Sequence, residues 1–87
     1  MSKERMTPVA VITGASSGIG RAIALAFAAE GATVVLASRT RKKLDEVAAQ
    51  VTDSGGTASV IPTDVTDEGQ VRHLFRETTR LYDTVDL

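Results

Sequence analysis

The chain alternates short apolar runs with longer amphipathic ones. Pro8-Val9-Ala10-Val11-Ile12 is the first apolar run, and it stops at Gly14. It has no period-two alternation, so it reads as a strand buried on both faces, as in a parallel sheet. Arg21 to Glu30 follows as an Ala-rich helical run with almost every face apolar or small. Such a helix packs closely and keeps a high propensity. Ser16 and Ser17 stand in its N-cap region, and Gly31 is the expected left-handed residue past its end.

Thr33-Val34-Val35-Leu36-Ala37 reads as a second strand, followed by the polar, basic turn Ser38-Arg39-Thr40-Arg41. Leu44, Val47, Ala48 and Val51 recur at helical spacing, and Asp53-Ser54-Gly55-Gly56 closes that helix. Thr57-Ala58-Ser59-Val60-Ile61 is a third strand, with Pro62 at its end, where a missing N–H costs little. In the loop Asp64-Val65-Thr66, Thr66 is the candidate N-cap of the next helix, and Asp67 and Glu68 suit its dipole. Val71, Leu74, Phe75 and Thr78 form the buried stripe of that helix, expected from about Asp67 to Arg80 and reaching toward Leu81 or Tyr82. Val85-Asp86-Leu87 resembles the start of a fourth strand that is cut off. Strands alternating with helices predict parallel strands joined by helical crossovers, an α/β doubly wound sheet.

Composition narrows the class. Over 87 residues, 43% are hydrophobic and 24% charged, which excludes a disordered chain and allows one domain at most. A net charge of -1 and three aromatics, Phe27, Phe75 and Tyr82, give no nucleic-acid surface. No apolar run is long enough to span a membrane. The absence of cysteine removes disulfides and thiolate chemistry and fits a reducing, cytoplasmic setting. His73 has no second His near it, so no metal site is expected, and it reads as a surface helix residue.

The chemistry concentrates in Thr13-Gly14-Ala15-Ser16-Ser17-Gly18-Ile19-Gly20, between the first strand and the first helix. Gly14 lets the chain leave the strand with unusual dihedrals. Gly18 removes a Cβ from the path of an approaching diphosphate. Gly20 lets the helix pack tightly on the sheet, and the helix N-terminus offers free N–H groups to an anion. The Ser16 and Ser17 hydroxyls can donate to the same anion.

This stretch resembles the cofactor motif of the short-chain dehydrogenase/reductase family. Asp64-Val65 is similar to that family's adenine-contacting pair after the third strand, and the element order agrees from about Pro8 to Leu87. The resemblance implies that residues 1–87 are the N-terminal, incomplete part of a Rossmann dinucleotide-binding domain. It implies that Gly14, Ser16, Ser17, Gly18, Ile19 and Gly20 surround the pyrophosphate and adjoining ribose. Asp64 would accept from the adenine amino group, and the Val65 backbone would touch the ring. On position alone, Asp64 reads equally as a solvated or capping loop carboxylate.

An acidic residue at the end of the second strand would bind the 2′-hydroxyl of NAD(H). Here Ser38 and Arg39 stand there, small and neutral, then cationic, which suits the 2′-phosphate of NADP(H). Arg41, Lys42 and Lys43 read as a solvated helix face. The family's catalytic Tyr, Lys, Ser and Asn have no counterpart in residues 1–87, and Tyr82, with Asp86 four residues on, reads as a helix-end residue. Two functions follow. One is the cofactor-binding portion of an oxidoreductase acting on a carbonyl or secondary alcohol, inactive by itself. The other is a stand-alone nucleotide-binding or interaction module without catalysis. Full-length members are usually homo-oligomeric. A first strand lacking its outer neighbour predicts a marginally stable chain that self-associates through that edge.

Overall fold

The computed structural model describes residues 8–82. Its elements follow the order β1 (Val9–Thr13), α1 (Gly18–Ala29), β2 (Thr33–Ala37), α2 (Arg41–Asp53), β3 (Thr57–Val60) and α3 (Glu68–Tyr82). The strands form a parallel sheet in the order β1-β2-β3, with Val9 opposite Thr33 and Thr33 opposite Thr57. This is the expected α/β architecture, a partial doubly wound Rossmann sheet. The fourth strand expected around Val85-Asp86-Leu87 lies outside the described residues.

Side-chain alternation along β2 divides the core. Val34 and Leu36 point to one face, where they pack with Ile12, Ala15, Ala24 of α1, and Leu44, Val47 and Val51 of α2. Val35 and Ala37 point to the other, where they meet Val9, Ile61 and Leu74 of α3. The chain therefore crosses twice over one face and then lays α3 on the opposite one. Residues 33–37 are all buried, which explains an unbroken apolar run in place of alternation. Each fully buried Val or Leu here contributes about 1.5–3 kcal/mol.

Local signals set the boundaries. Ser17 caps α1: its side chain accepts from the Gly20 N–H. The helix thus begins at Gly18, ahead of the Arg21 start of the apolar run. At its far end Gly31 has φ +94°, and the Ala32 N–H returns to the Phe27 carbonyl at 3.0 Å, closing the last turn. The third strand is one residue shorter than expected, although the Ile61 N–H still donates to the Leu36 carbonyl at 3.0 Å.

Two expectations for α3 are corrected. Asp67, not Thr66, caps the helix: its Oδ1 accepts from the Gln70 N–H at 3.2 Å. Thr66 is engaged instead by the Asp64 carboxylate. Of the predicted stripe, Leu74 and Thr78 are buried, Val71 is half-buried and Phe75 is 44% exposed. Phe75 lies one helical step from Leu74, outside the line that meets the sheet. Tyr82, half-buried, hydrogen-bonds Ser59 and so ties the end of α3 to β3.

Gly20 and Gly18 differ sharply. A Cβ at Gly20 would fall 2.0 Å from the Gly14 carbonyl oxygen and 2.7 Å from its carbon, whereas one at Gly18 would meet nothing within 4 Å. Gly20→Ala should therefore destabilise the chain by about 3 kcal/mol or more, because backbone cannot yield as a side chain can. Gly18→Ala should leave stability unchanged or raise it by up to about 1 kcal/mol, the helix-propensity gain. Urea unfolding of the two variants checks the pair, and equal destabilisation would contradict the packing role of Gly20.

Candidate cofactor site

In a parallel sheet the loops that leave the C-terminal strand ends gather along one edge, and ligands of doubly wound sheets bind there. The loops after β1, β2 and β3 are residues 14–17, 38–40 and 61–67. Together they line a cleft of about 230 Å³ walled by Gly14, Ser38, Arg39, Thr63, Asp64, Val65 and Thr66. Hydrogen bonds cross between the loops. The Ala15 N–H donates to the Ala37 carbonyl at 3.3 Å, and the Thr63 N–H donates to the Ser38 carbonyl at 2.7 Å.

The glycine turn is built around one carbonyl. Gly14, at φ +65°, turns its oxygen back under the start of α1. That oxygen accepts from the Ser17 N–H at 3.1 Å and from the Ser17 hydroxyl at 2.8 Å. The Ser17 Oγ in turn accepts from the Gly20 N–H at 3.3 Å. Both Ser17 donors thus have acceptors inside the turn. Ser17 shapes the site from within, as Gly20 does by its contact with Gly14. The Gly18 and Ile19 N–H groups, in contrast, have no protein acceptor among the described residues. Open space lies in front of Gly18, so these helix N-terminal donors are accessible. Ile19 is 78% exposed, an apolar side chain held in solvent beside those donors.

The second and third loops carry the charges. Ser38 is half-buried, and its Oγ accepts from the Thr40 N–H at 3.2 Å. Arg39 is exposed on the cleft wall, with no ion-pair partner among the described residues. Arg41, by comparison, pairs with Asp45 at 3.7 Å on its own helix, and Lys42 and Lys43 are exposed. Across the cleft, Asp64 Oδ1 accepts from the Thr66 hydroxyl at 2.6 Å and the Thr66 N–H at 2.9 Å. These two bonds, the hydroxyl's first, hold the Asp64 carboxyl below its ordinary value, with a smaller attraction from Arg39. The folded value lies below the unfolded one. The ionised group thus stabilises the loop above the ordinary carboxylate range, and that contribution is lost as pH falls through the lowered value.

The structure brings Gly14, Ser38, Arg39, Asp64 and Val65 into one cleft. Ser16 and Gly18 line a neighbouring one of about 270 Å³, between α1 and α2, with Arg21, Lys43, Glu46, Val47 and Gln50. Thr63 and Thr66 also line the cleft; the sequence marks Thr66 only as a cap and Thr63 not at all. The Asp-x-Thr spacing, which allows a carboxylate to cap a hydroxyl and an N–H two residues on, was the available signal for Thr66. His73 is exposed on α3. Among the described residues no three His, Cys, Asp or Glu side chains converge, and no helix is long and apolar enough to cross a membrane.

Known proteins resemble this chain in sequence and fold. The chain is 47% identical over 78 residues to a fatty acyl-CoA reductase of Acinetobacter baylyi, covering 90% of this chain and 26% of that protein. It superposes on a 3-ketoacyl-ACP reductase of Sinorhizobium meliloti with TM-score 0.87 and 48% identity, over 91% of this chain and 31% of that one. A metagenomic short-chain oxidoreductase solved in complex with NADP gives TM-score 0.89 and 34% identity, over 92% of this chain and 36% of that one. The chain thus spans about a quarter to a third of the length of the relatives it matches. The short chain dehydrogenase family profile matches residues 8–87, and the chain belongs to that family.

Proposed function

We propose that this chain is the adenosine-side cofactor portion of an oxidoreductase that uses NADP(H) to move hydride to or from a carbonyl or secondary alcohol. Family membership supports a nicotinamide dinucleotide, which supplies the hydride when bound. The preference for NADP(H) rests chiefly on Arg39, a guanidinium with no ion-pair partner among the described residues, on the wall of the cleft that also holds Asp64. Ser38 stands where a carboxylate would repel a 2′-phosphate, and one structural relative was solved with NADP. The remaining roles are proposed from family membership, and the positions of these residues around the clefts support them. The Gly18 and Ile19 N–H groups would face the pyrophosphate, with Ser16 beside them. Asp64 would accept from the adenine amino group, and Val65 would lie along the ring. A cysteine-free chain supports a cytoplasmic setting.

Arg39→Ala should weaken NADPH binding about tenfold to a hundredfold, the worth of one or two charge-assisted hydrogen bonds. NADH binding should change by less than about threefold, since it offers Arg39 no phosphate. Isothermal titration with both dinucleotides checks this, and an equal loss for both would contradict the 2′-phosphate role. Self-association is proposed as well. Among the described residues no strand pairs with the outer edge of β1. Sedimentation velocity should show the weight-average mass rising with concentration, and a monodisperse monomer would contradict it.

A further inference from the structure

The loop at 61–67 carries Asp64 and Val65 between β3 and α3, and it is held from two directions. Thr66 grips the Asp64 carboxylate, as described, and the Asp67 N–H donates to the Asp64 carbonyl at 3.0 Å. The Asp64 N–H points elsewhere. It donates to Gln70 Oε1 at 2.8 Å, across six residues. Gln70 is itself fixed in the first turn of α3. Its N–H reaches Asp67 Oδ1 at 3.2 Å, and its Nε2 donates to Asp67 Oδ2 at 3.4 Å. Gln70 does not line the cleft. It acts on it only through the backbone of Asp64.

We propose that Gln70 is a positioning residue that holds the Asp64 carboxylate at the base end of the cleft and thereby selects a 6-amino purine over a 6-oxo purine. The inference rests on the proposed function, in which Asp64 meets the adenine. An ionised carboxylate only accepts hydrogen bonds. With Oδ1 already taken by two Thr66 donors, it can take a donated amino hydrogen but repels the carbonyl oxygen that hypoxanthine places there. That discrimination requires a fixed carboxylate, because a loop free to turn would carry the charge away from the base. The clamp also requires a neutral acceptor. A glutamate at this position would place a third carboxylate beside Asp64 and Asp67, whereas Gln70 offers a carbonyl to Asp64 and an amide N–H to Asp67.

The test uses Gln70→Met, which keeps length and removes both polar groups, in the whole chain. Without nucleotide, hydrogen exchange at the Asp64 amide should quicken about five- to tenfold, the worth of one hydrogen bond, while the Leu74 amide in the same helix is unchanged. An unchanged Asp64 amide, or equal quickening at Leu74, would overturn the clamp. With adenosine 2′,5′-bisphosphate and its inosine counterpart as probes, the wild-type chain should prefer the adenosine form and Gln70→Met should lose most of that preference. Arg39→Ala should weaken both probes and leave the preference intact. If wild type discriminates and Gln70→Met discriminates equally, the Gln70 role fails and the cofactor reading stands. If wild type binds neither probe, the cofactor reading fails and takes the base-selecting role with it.

Discussion

The approach of α1 to the turn that precedes it governs the rest of this structure. A Cβ at Gly20 has no room beside the Gly14 carbonyl, so the helix can sit this close only with glycine there. The closeness lets Ser17 bridge Gly14 and Gly20 with a single hydroxyl, and it leaves the Gly18 and Ile19 N–H groups facing outward at the sheet's C-terminal edge. A Cβ at Gly20 would push the helix off the strand and swing those donors away. Packing and anion recognition are thus one constraint, because the contact that seats the helix also aims its positive end.

The sheet turns that local arrangement into a site. Parallel strands bring three loops to one edge, and each loop holds a different part. The first offers backbone donors, the second the Arg39 cation, and the third the Asp64 carboxylate. Arg39 and Asp64 face a shared cleft with opposite charges, yet neither neutralises the other. Asp64 is satisfied by Thr66, while Arg39 has no ion-pair partner among the described residues. A cleft that carries one charge of each sign, with mostly apolar walls, beside open backbone donors suits a phosphorylated nucleoside.

Much of this was legible in the sequence, and the parts that were not share a cause. Apolar runs and the helical spacing of Leu44, Val47 and Val51 placed the strands and α2, because burial on a regular element repeats at a regular interval. Gly14 and Gly20 were legible because one takes a positive φ that favours glycine and the other leaves no room for a Cβ. Polar residues proved harder, since a hydroxyl or carboxylate can serve several partners within a few positions. Ser17 reads as an anion donor, and its second part, bridging Gly14 and Gly20, has no mark in the sequence. Thr66 reads as a cap until Asp64 is found holding it, one residue before the true cap, Asp67. Phe75 fits the helical stripe by spacing and still lies outside it, because the stripe that meets this sheet is narrow. Gln70 carries no signal at all in a sequence, since its partner is a backbone N–H in the preceding loop.

The central claim is that the two neighbouring clefts at the C-terminal ends of the strands together hold one dinucleotide. An amide NMR titration with NADPH tests it most directly. Saturable shifts concentrated at Gly18, Ile19, Arg39, Asp64 and Val65, with the outer face of α3 at Phe75 and Thr79 unmoved, are the predicted result. Shifts centred on α3, or none that saturate, would contradict it.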